Sequence, residues 1–347
     1  MLDSFRGLLW ARRRQPGDVR YWVELAHERF QPDDLLRQAV EAEEAGFDGI
    51  TCSDHLAPWW TEETAPTSSG NAWVWLGAAA HATKRPALGA GVTGLIHRYN
   101  PVVVAQQVAT LESLAPGRAF LGVGSSEAMN EVPAGLEWPS TGEQLARTEE
   151  ALTIVTRLLD GETVDFDGRF FHARAAKLYV RPPRRPPVYM SAFHEGAAEV
   201  AGRLADGIWT LADPSKAPKV IQAYRRSCEQ AGREPGEVIL QAVFSWAPDD
   251  ETALEHSREW KGTMVDAHYT DDVHDPAQVY RNGEEQVPDA MFKAQVIVSS
   301  DPQAHVQRIR MLEKLGATTI VLMNVSGADP HEALRVYGRD VLPALRS

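Results

Sequence analysis

Apolar and polar residues along this chain follow two alternating rhythms. Short β-rich runs at 20–25, 47–52, 87–92, 119–123, 188–191, 207–210, 238–244, 294–298 and 318–323 are separated by stretches whose apolar residues recur at helical spacing. In 32–45, for example, Leu35, Leu36, Ala39 and Val40 keep that spacing until Gly46 stops it. Further helices are predicted at 72–83, 102–114, 141–159, 196–204, 216–231, 302–315 and 330–345. Strand alternating with helix is what a parallel sheet requires, and the strand number is close to what closes a ring. The predicted fold is α/β, a (β/α)8 TIM barrel with insertions. Two stretches break the rhythm. Residues 161–171 alternate around Asp167 and Gly168 like a hairpin, within an insertion near 161–185. Residues 255–292 are rich in His, Asp and Tyr and poor in apolar periodicity, and are predicted as a second insertion covering an active site. No Pro/Gly-rich linker divides 20–347, which reads as a single barrel domain preceded by a tail or contact arm, residues 1–19.

Composition narrows the function. The 347 residues are 44% hydrophobic and 24% charged, and no apolar run approaches the roughly 18 residues a membrane helix needs. A formal net charge of −13, with Lys and Arg dispersed, argues against nucleic acid and leaves a small molecule as the expected partner. The two cysteines, Cys52 and Cys228, fall on a predicted strand and a predicted helix, so neither a disulfide framework nor a thiolate metal site is expected. Near the start, Leu8, Leu9 and Trp10 precede Arg12, Arg13 and Arg14, the reverse of a secretory leader, and a cytoplasmic enzyme is expected.

Chemistry concentrates at predicted strand ends. Residues 53–60 read Ser-Asp-His-Leu-Ala-Pro-Trp-Trp directly after the strand at 47–52, which puts an imidazole, a carboxylate and large aromatics on one loop. Taken alone, a helix-capping Asp beside core tryptophans would account for the same run. At 122–127 a strand runs into Gly-Val-Gly-Ser-Ser-Glu. Gly122, Gly124, Ser125 and Ser126 let an anion approach backbone N–H groups, and Glu127 projects beside it, although a tight strand-to-helix connection would look the same. Glycines at the end of the strand at 87–92 suit a flat ring lying on bare backbone. His81 is assigned no role.

Together, Glu28, Ser53-Asp54-His55 through Trp59, Arg98-Tyr99-Asn100-Pro101, the run from Gly122 to Glu131, and Tyr189 through Phe193 resemble the luciferase-like flavin and deazaflavin superfamily. Within it the chain is similar to the glucose-6-phosphate dehydrogenase-type oxidoreductases that use the deazaflavin coenzyme F420. The resemblance implies that the ring leans on a non-proline cis peptide at Gly91-Val92 and that Asp54 contacts the cofactor. It further implies that Ser125, Ser126 and Asn130 hold the cofactor, with Phe193 and His194 forming another wall of its pocket. His55 is assigned as the base that removes a hydroxyl proton while hydride passes to the ring. Glu127 manages proton or charge on the reduced ring, Trp59 shapes the pocket, and Glu28 orients substrate or His55. Thr210 matches the family's sugar-phosphate threonine, but the accompanying cations fall on about Asp213, Thr270 and Gln295, with Lys216 as a stand-in for one of them. An uncharged alcohol, sugar or ketone is therefore favoured. The rival readings are an FMN-dependent monooxygenase of the same superfamily and a noncatalytic deazaflavin-binding protein. A homodimer is expected from the resemblance.

Overall fold

The computed structural model describes residues 18–347, so the predicted tail lies outside the described residues apart from Asp18 and Val19. The strands are β1 (Arg20–Leu25), β2 (Gly49–Cys52), β3 (Ala87–Ala90), β4 (Thr93–Gly94), β5 (Leu121–Gly124), β6 (Val164–Asp167), β7 (His172–Ala176), β8 (Val188–Ser191), β9 (Gly207–Leu211), β10 (Glu237–Ser245), β11 (Ile297–Val298) and β12 (Thr319–Asn324). One sheet runs in the order β3-β2-β1-β12-β10-β9-β8-β5-β4, with every pairing parallel. Its two ends meet through an isolated parallel bridge between Leu88 and Ala119, where Leu88 N–H donates to the Arg118 carbonyl at 2.8 Å and Phe120 N–H to the Leu88 carbonyl at 3.0 Å. The result is the barrel that the strand–helix alternation predicts.

Side-chain alternation along each stave decides what fills the ring. On β1, Trp22 points inward and joins Phe120, Tyr189, Trp209, Ile239 and Val321, while Tyr21, Val23 and Leu25 pack outward against the helices. Trp22 stacks on Phe120 with ring centroids 4.6 Å apart, and Trp209 meets Trp22 edge-on at 6.3 Å. Such pairs add about 0.5–1.5 kcal/mol each beyond the area they bury. Helix starts carry the expected punctuation: Asn100 caps Pro101–Leu114 by accepting from Val102 N–H, and Pro101 occupies the first turn.

Between β3 and β4 the Gly91-Val92 peptide bond is cis, where the resemblance places it. The ring narrows here. A methyl group on Gly122 would lie 2.3 Å from the Ala90 carbonyl oxygen, and one on Gly91 would lie 2.6 Å from the Trp209 ring. Glycine at both positions lets strand meet strand, and strand meet core, without an intervening side chain.

The strand expected at 294–298 is corrected by the structure. Residues 289–295 form a helix, and only Ile297–Val298 is extended, pairing with the far end of β10 at Phe244 and Ser245. The place in the ring beside β10 is already taken by β12, which pairs with it from Ile239 to Phe244. The 161–171 hairpin is present as the antiparallel pair β6–β7. Residues 250–295 fold into short helices, Asp250–Glu255, Arg258–Met264, Ala267–Thr270, Pro276–Gln286 and Asp289–Gln295. They form a lid with a core of its own, in which Trp260, Val265, Val279, Val287 and Phe292 pack with Trp59, Trp60 and Met129 of the barrel mouth.

Gly122→Ala is expected to lower stability by about 1–3 kcal/mol in chemical unfolding, because two backbones must separate to admit the methyl. Gly142→Ala, with no atom within 4 Å of the added methyl, serves as the control and should leave the midpoint nearly unmoved.

Candidate active site

Three staves deliver the chemistry. The turn after β1 carries Glu28, the loop after β2 carries Ser53 to His55, and the turn after β5 carries Glu127. All leave the C-terminal ends of parallel strands, so they meet at one mouth. Ser53 donates its hydroxyl to Glu28 Oε2 at 2.6 Å. His55 stands between the two acids, Nδ1 lying 3.7 Å from Glu28 Oε1 and Nε2 3.8 Å from Glu127 Oε2. Both separations exceed a hydrogen bond, and Nδ1 is buried without a partner. An imidazole held just short of two carboxylates can take a proton at one nitrogen and have the resulting charge balanced at the other.

Asn130 fixes this spacing. It is fully buried, its Nδ2 donates to Glu127 Oε2 at 2.8 Å, and its Oδ1 accepts from Leu56 N–H at 2.8 Å. One amide thereby ties the β5 acid to the backbone following the β2 imidazole. Asn130, expected to hold the cofactor, makes these hydrogen bonds to the turn after β5 and the loop after β2. Asp54 is likewise buried, accepting from Thr93 Oγ1 at 2.8 Å and Tyr99 Oη at 3.1 Å, while Arg98 donates to its backbone carbonyl at 2.6 Å. Its carboxylate anchors the residues just past the cis peptide. Burial raises the carboxyl of neighbouring Glu131, which accepts from Arg98 N–H at 2.7 Å.

The remaining expected residues spread over two walls. Gly91 and Val92 lie beside the mouth between β3 and β4, and Ser126 takes a left-handed backbone with φ 61°. Ser125 and His194 line a small cleft with Thr141, Gln144 and Ser191, where His194 Nδ1 caps the helix Glu195–Leu204 by accepting from Ala197 N–H at 3.4 Å. Thr210 alternates with inward-facing Trp209 and so faces the helix layer with Ile208; the structure does not bring it to His55. Trp59 is buried with its ring 5.2 Å from that of His55. Among the described residues, no group of three or more His, Cys, Asp or Glu side chains is arranged to hold a metal ion.

Three residues outside the expected set also belong here. Tyr269 reaches down from the lid to within 5.8 Å of the Trp59 ring centroid. Burial, with Glu127 adding to it, pushes its phenol far above the ordinary range. Beneath the mouth, Gln241 donates from Nε2 to Glu24 Oε2 at 2.7 Å and accepts at Oε1 from Trp209 Nε1 at 2.7 Å. Burial, then the nearby Glu28, raises the Glu24 carboxyl well above its usual range. The signal for Glu24 was readable: a carboxylate on the inward face of a strand, two residues from the inward Trp22. Tyr269 carried no such signal, because its position depends on how the lid folds back.

A parallel ring whose mouth collects an imidazole and two carboxylates places the chain among the barrel oxidoreductases. The chain belongs to the luciferase-like monooxygenase family, whose profile matches residues 9–319. It is 39% identical to an F420-dependent glucose-6-phosphate dehydrogenase of Microbacterium testaceum (strain StLB037), over 94% of this chain and 98% of that one. It is 37% identical to a protein of the same name from Nakamurella multipartita, over 96% of this chain and 98% of that one. Among solved structures it is similar to an F420-dependent secondary alcohol dehydrogenase in complex with an F420-acetone adduct, at 31% identity and a TM-score of 0.89 over 95% of this chain and 100% of that one. The coenzyme F420-dependent tetrahydromethanopterin reductase of Methanopyrus kandleri, at 21% identity and a TM-score of 0.77 over 94% of this chain and 99% of that one, shares the fold.

A buried ion pair, Arg29 with Glu259, joins the lid to the turn that bears Glu28. Burial pushes the Glu259 carboxyl from its ordinary 4.5 up to about 7, with Arg29 opposing. A carboxyl that holds its proton more tightly when folded loses stability as pH rises. Between pH 4.5 and 7 the wild type should therefore lose up to about 3 kcal/mol relative to Glu259→Gln, seen as converging or crossing thermal midpoints across that window.

Proposed function

We propose that this chain is an F420-dependent oxidoreductase that transfers hydride between an uncharged alcohol, or the corresponding carbonyl, and the deazaflavin. The observation that carries this reading is the placement of His55 between Glu28 and Glu127 at the mouth where β1, β2 and β5 end. The cleft at Ser125, Ser191 and His194 supplies polar groups for the phosphate-bearing tail of the deazaflavin. When bound, the deazaflavin supplies a two-electron hydride acceptor or donor that reacts poorly with oxygen.

The protein's own residues handle the proton. With its Nδ1 proton turned to Glu28, His55 presents Nε2 as a base to a substrate hydroxyl, and the imidazolium so formed is balanced by the Glu28 carboxylate. Glu127, on the other side of Nε2, holds the charge or proton that accompanies reduction of the ring. Trp59 walls the site and the lid keeps bulk water from it. The reverse reaction uses the same groups in the opposite order.

Charge at the rim supports an uncharged substrate. The Lys216 ammonium is paired with Asp266 at 3.2 Å, Asp213 binds Ser215, and Thr270 donates to Asp271. A phosphate there would face these carboxylates, with the Lys216 ammonium already engaged. The opposing reading, glucose 6-phosphate, draws on the names of the curated relatives. We also propose a homodimer through helix Ala72–Ala82, where Val74 is 78% exposed on a helix with apolar residues on all sides. Among the described residues no helix is long and apolar enough to cross a membrane.

Titration should quench F420 fluorescence, with FMN binding more weakly and reduced FMN driving no oxygen consumption. His55→Ala should lower kcat with an alcohol by about 100-fold or more while F420 affinity is retained. Wild-type turnover of glucose 6-phosphate with micromolar affinity would reverse the substrate assignment.

A further inference from the structure

Outward from His55 runs an unbroken file of aromatic rings. The Trp59 centroid lies 5.2 Å from the imidazole, Tyr269 follows at 5.8 Å, and Phe193 meets Tyr269 edge-on at 5.5 Å. Trp59 is buried, Tyr269 is half-buried and Phe193 is 37% exposed, so the file leads from the chemistry to solvent. It draws on three separate elements: the loop after β2, the lid, and the turn after β8.

Polar groups around the imidazole are already committed to the protein. Ser53 donates to Glu28, the Asn130 amide serves Glu127 and Leu56, and the Tyr269 hydroxyl donates to the Thr263 carbonyl at 2.7 Å. Tyr269 therefore offers the substrate its ring and not its hydroxyl. Its backbone is held from behind by His268, which is buried between the Gly262 carbonyl at 2.7 Å and Asn282 at 2.9 Å. What remains for recognition is the acid–imidazole–acid group, enough for one hydroxyl. A polyol would set further hydroxyls against ring faces with no partner, a loss of about 1–3 kcal/mol for each buried group.

We infer that Tyr269 is a specificity-determining residue and that the site takes an alcohol with one reacting hydroxyl and a bulky apolar substituent lying along Trp59, Tyr269 and Phe193. This rests on the hydride-transfer reading above and names the substrate class within it. The reaction converts the carbinol to its ketone or aldehyde: the hydroxyl proton goes to His55 and the hydride, with its electron pair, to the oxidised F420.

The test measures kcat/KM by F420 bleaching for 2-propanol, 1-phenylethanol, glucose and glucose 6-phosphate, with F420 affinity determined separately for every protein. The wild type should prefer 1-phenylethanol over 2-propanol by at least about tenfold and leave glucose nearly untouched. That ratio should fall by about tenfold in Tyr269→Ala and stay within about twofold in Tyr269→Phe, which keeps the ring. Phe193→Ala, at the open end of the file, should lower the ratio by raising KM for 1-phenylethanol more than for 2-propanol. Intact F420 binding with glucose preferred, or with a ratio unmoved in both alanine variants, would overturn the inference alone. Failure to bind F420, or turnover of no alcohol at all, would overturn the hydride-transfer reading and the inference with it.

Discussion

At the seam between β3 and β5 the ring has no room for a side chain, because the Gly122 position lies against the Ala90 carbonyl. Two backbones touch there and hydrogen-bond through Leu88 on either side of Ala119. That contact makes the sheet a closed ring, and closure brings the turn after β5 round to the loop after β2. Glu127 and His55, separated by most of two strand–helix units in sequence, become neighbours through it. Asn130 and Asp54 then set the mouth with buried hydrogen bonds, one linking β5 to the β2 loop and the other linking that loop to the residues past Gly91-Val92.

Such a site is built from commitments. Nearly every polar group near the imidazole is already bonded to another part of the protein, and the imidazole itself lacks a direct hydrogen bond at Nδ1. Preorganisation of this kind removes the need to rearrange neighbours when charge appears during reaction. Beneath, Gln241 links Glu24 to Trp209, and burial with the nearby Glu28 raises the Glu24 carboxyl above its usual range.

The sequence made the barrel legible because each stave and helix announces itself locally, by alternation, by apolar spacing or by a Gly or Pro stop. Strand-end chemistry was legible for the same reason: His55 and Glu127 follow strands directly, and parallel staves send their C-terminal ends to one face. The run at 294–298 misled, since Val296, Ile297 and Val298 are apolar for a different cause. Val296 belongs to the lid core, and the next two residues pair beside the far end of β10. The lid had no periodicity to read because its helices are short and face Trp59 and Trp60 across the mouth, so its apolar positions follow tertiary contact and not a repeating face. Tyr269 was invisible for that reason, and the hydrogen bonds of Asn130 and Asp54 were hidden because partners 74 and 39 residues away leave no mark in a linear pattern.

Ser245 and Val298 are register partners in the parallel pair of β10 and β11, so the chain departs for the lid and returns from it at one spot on the rim. Everything between those residues hangs from a single narrow doorway, while Glu28, His55 and Glu127 sit on other staves. Descendants of such a chain can trade the whole canopy in one recombination event and acquire a new diet without relearning the reaction.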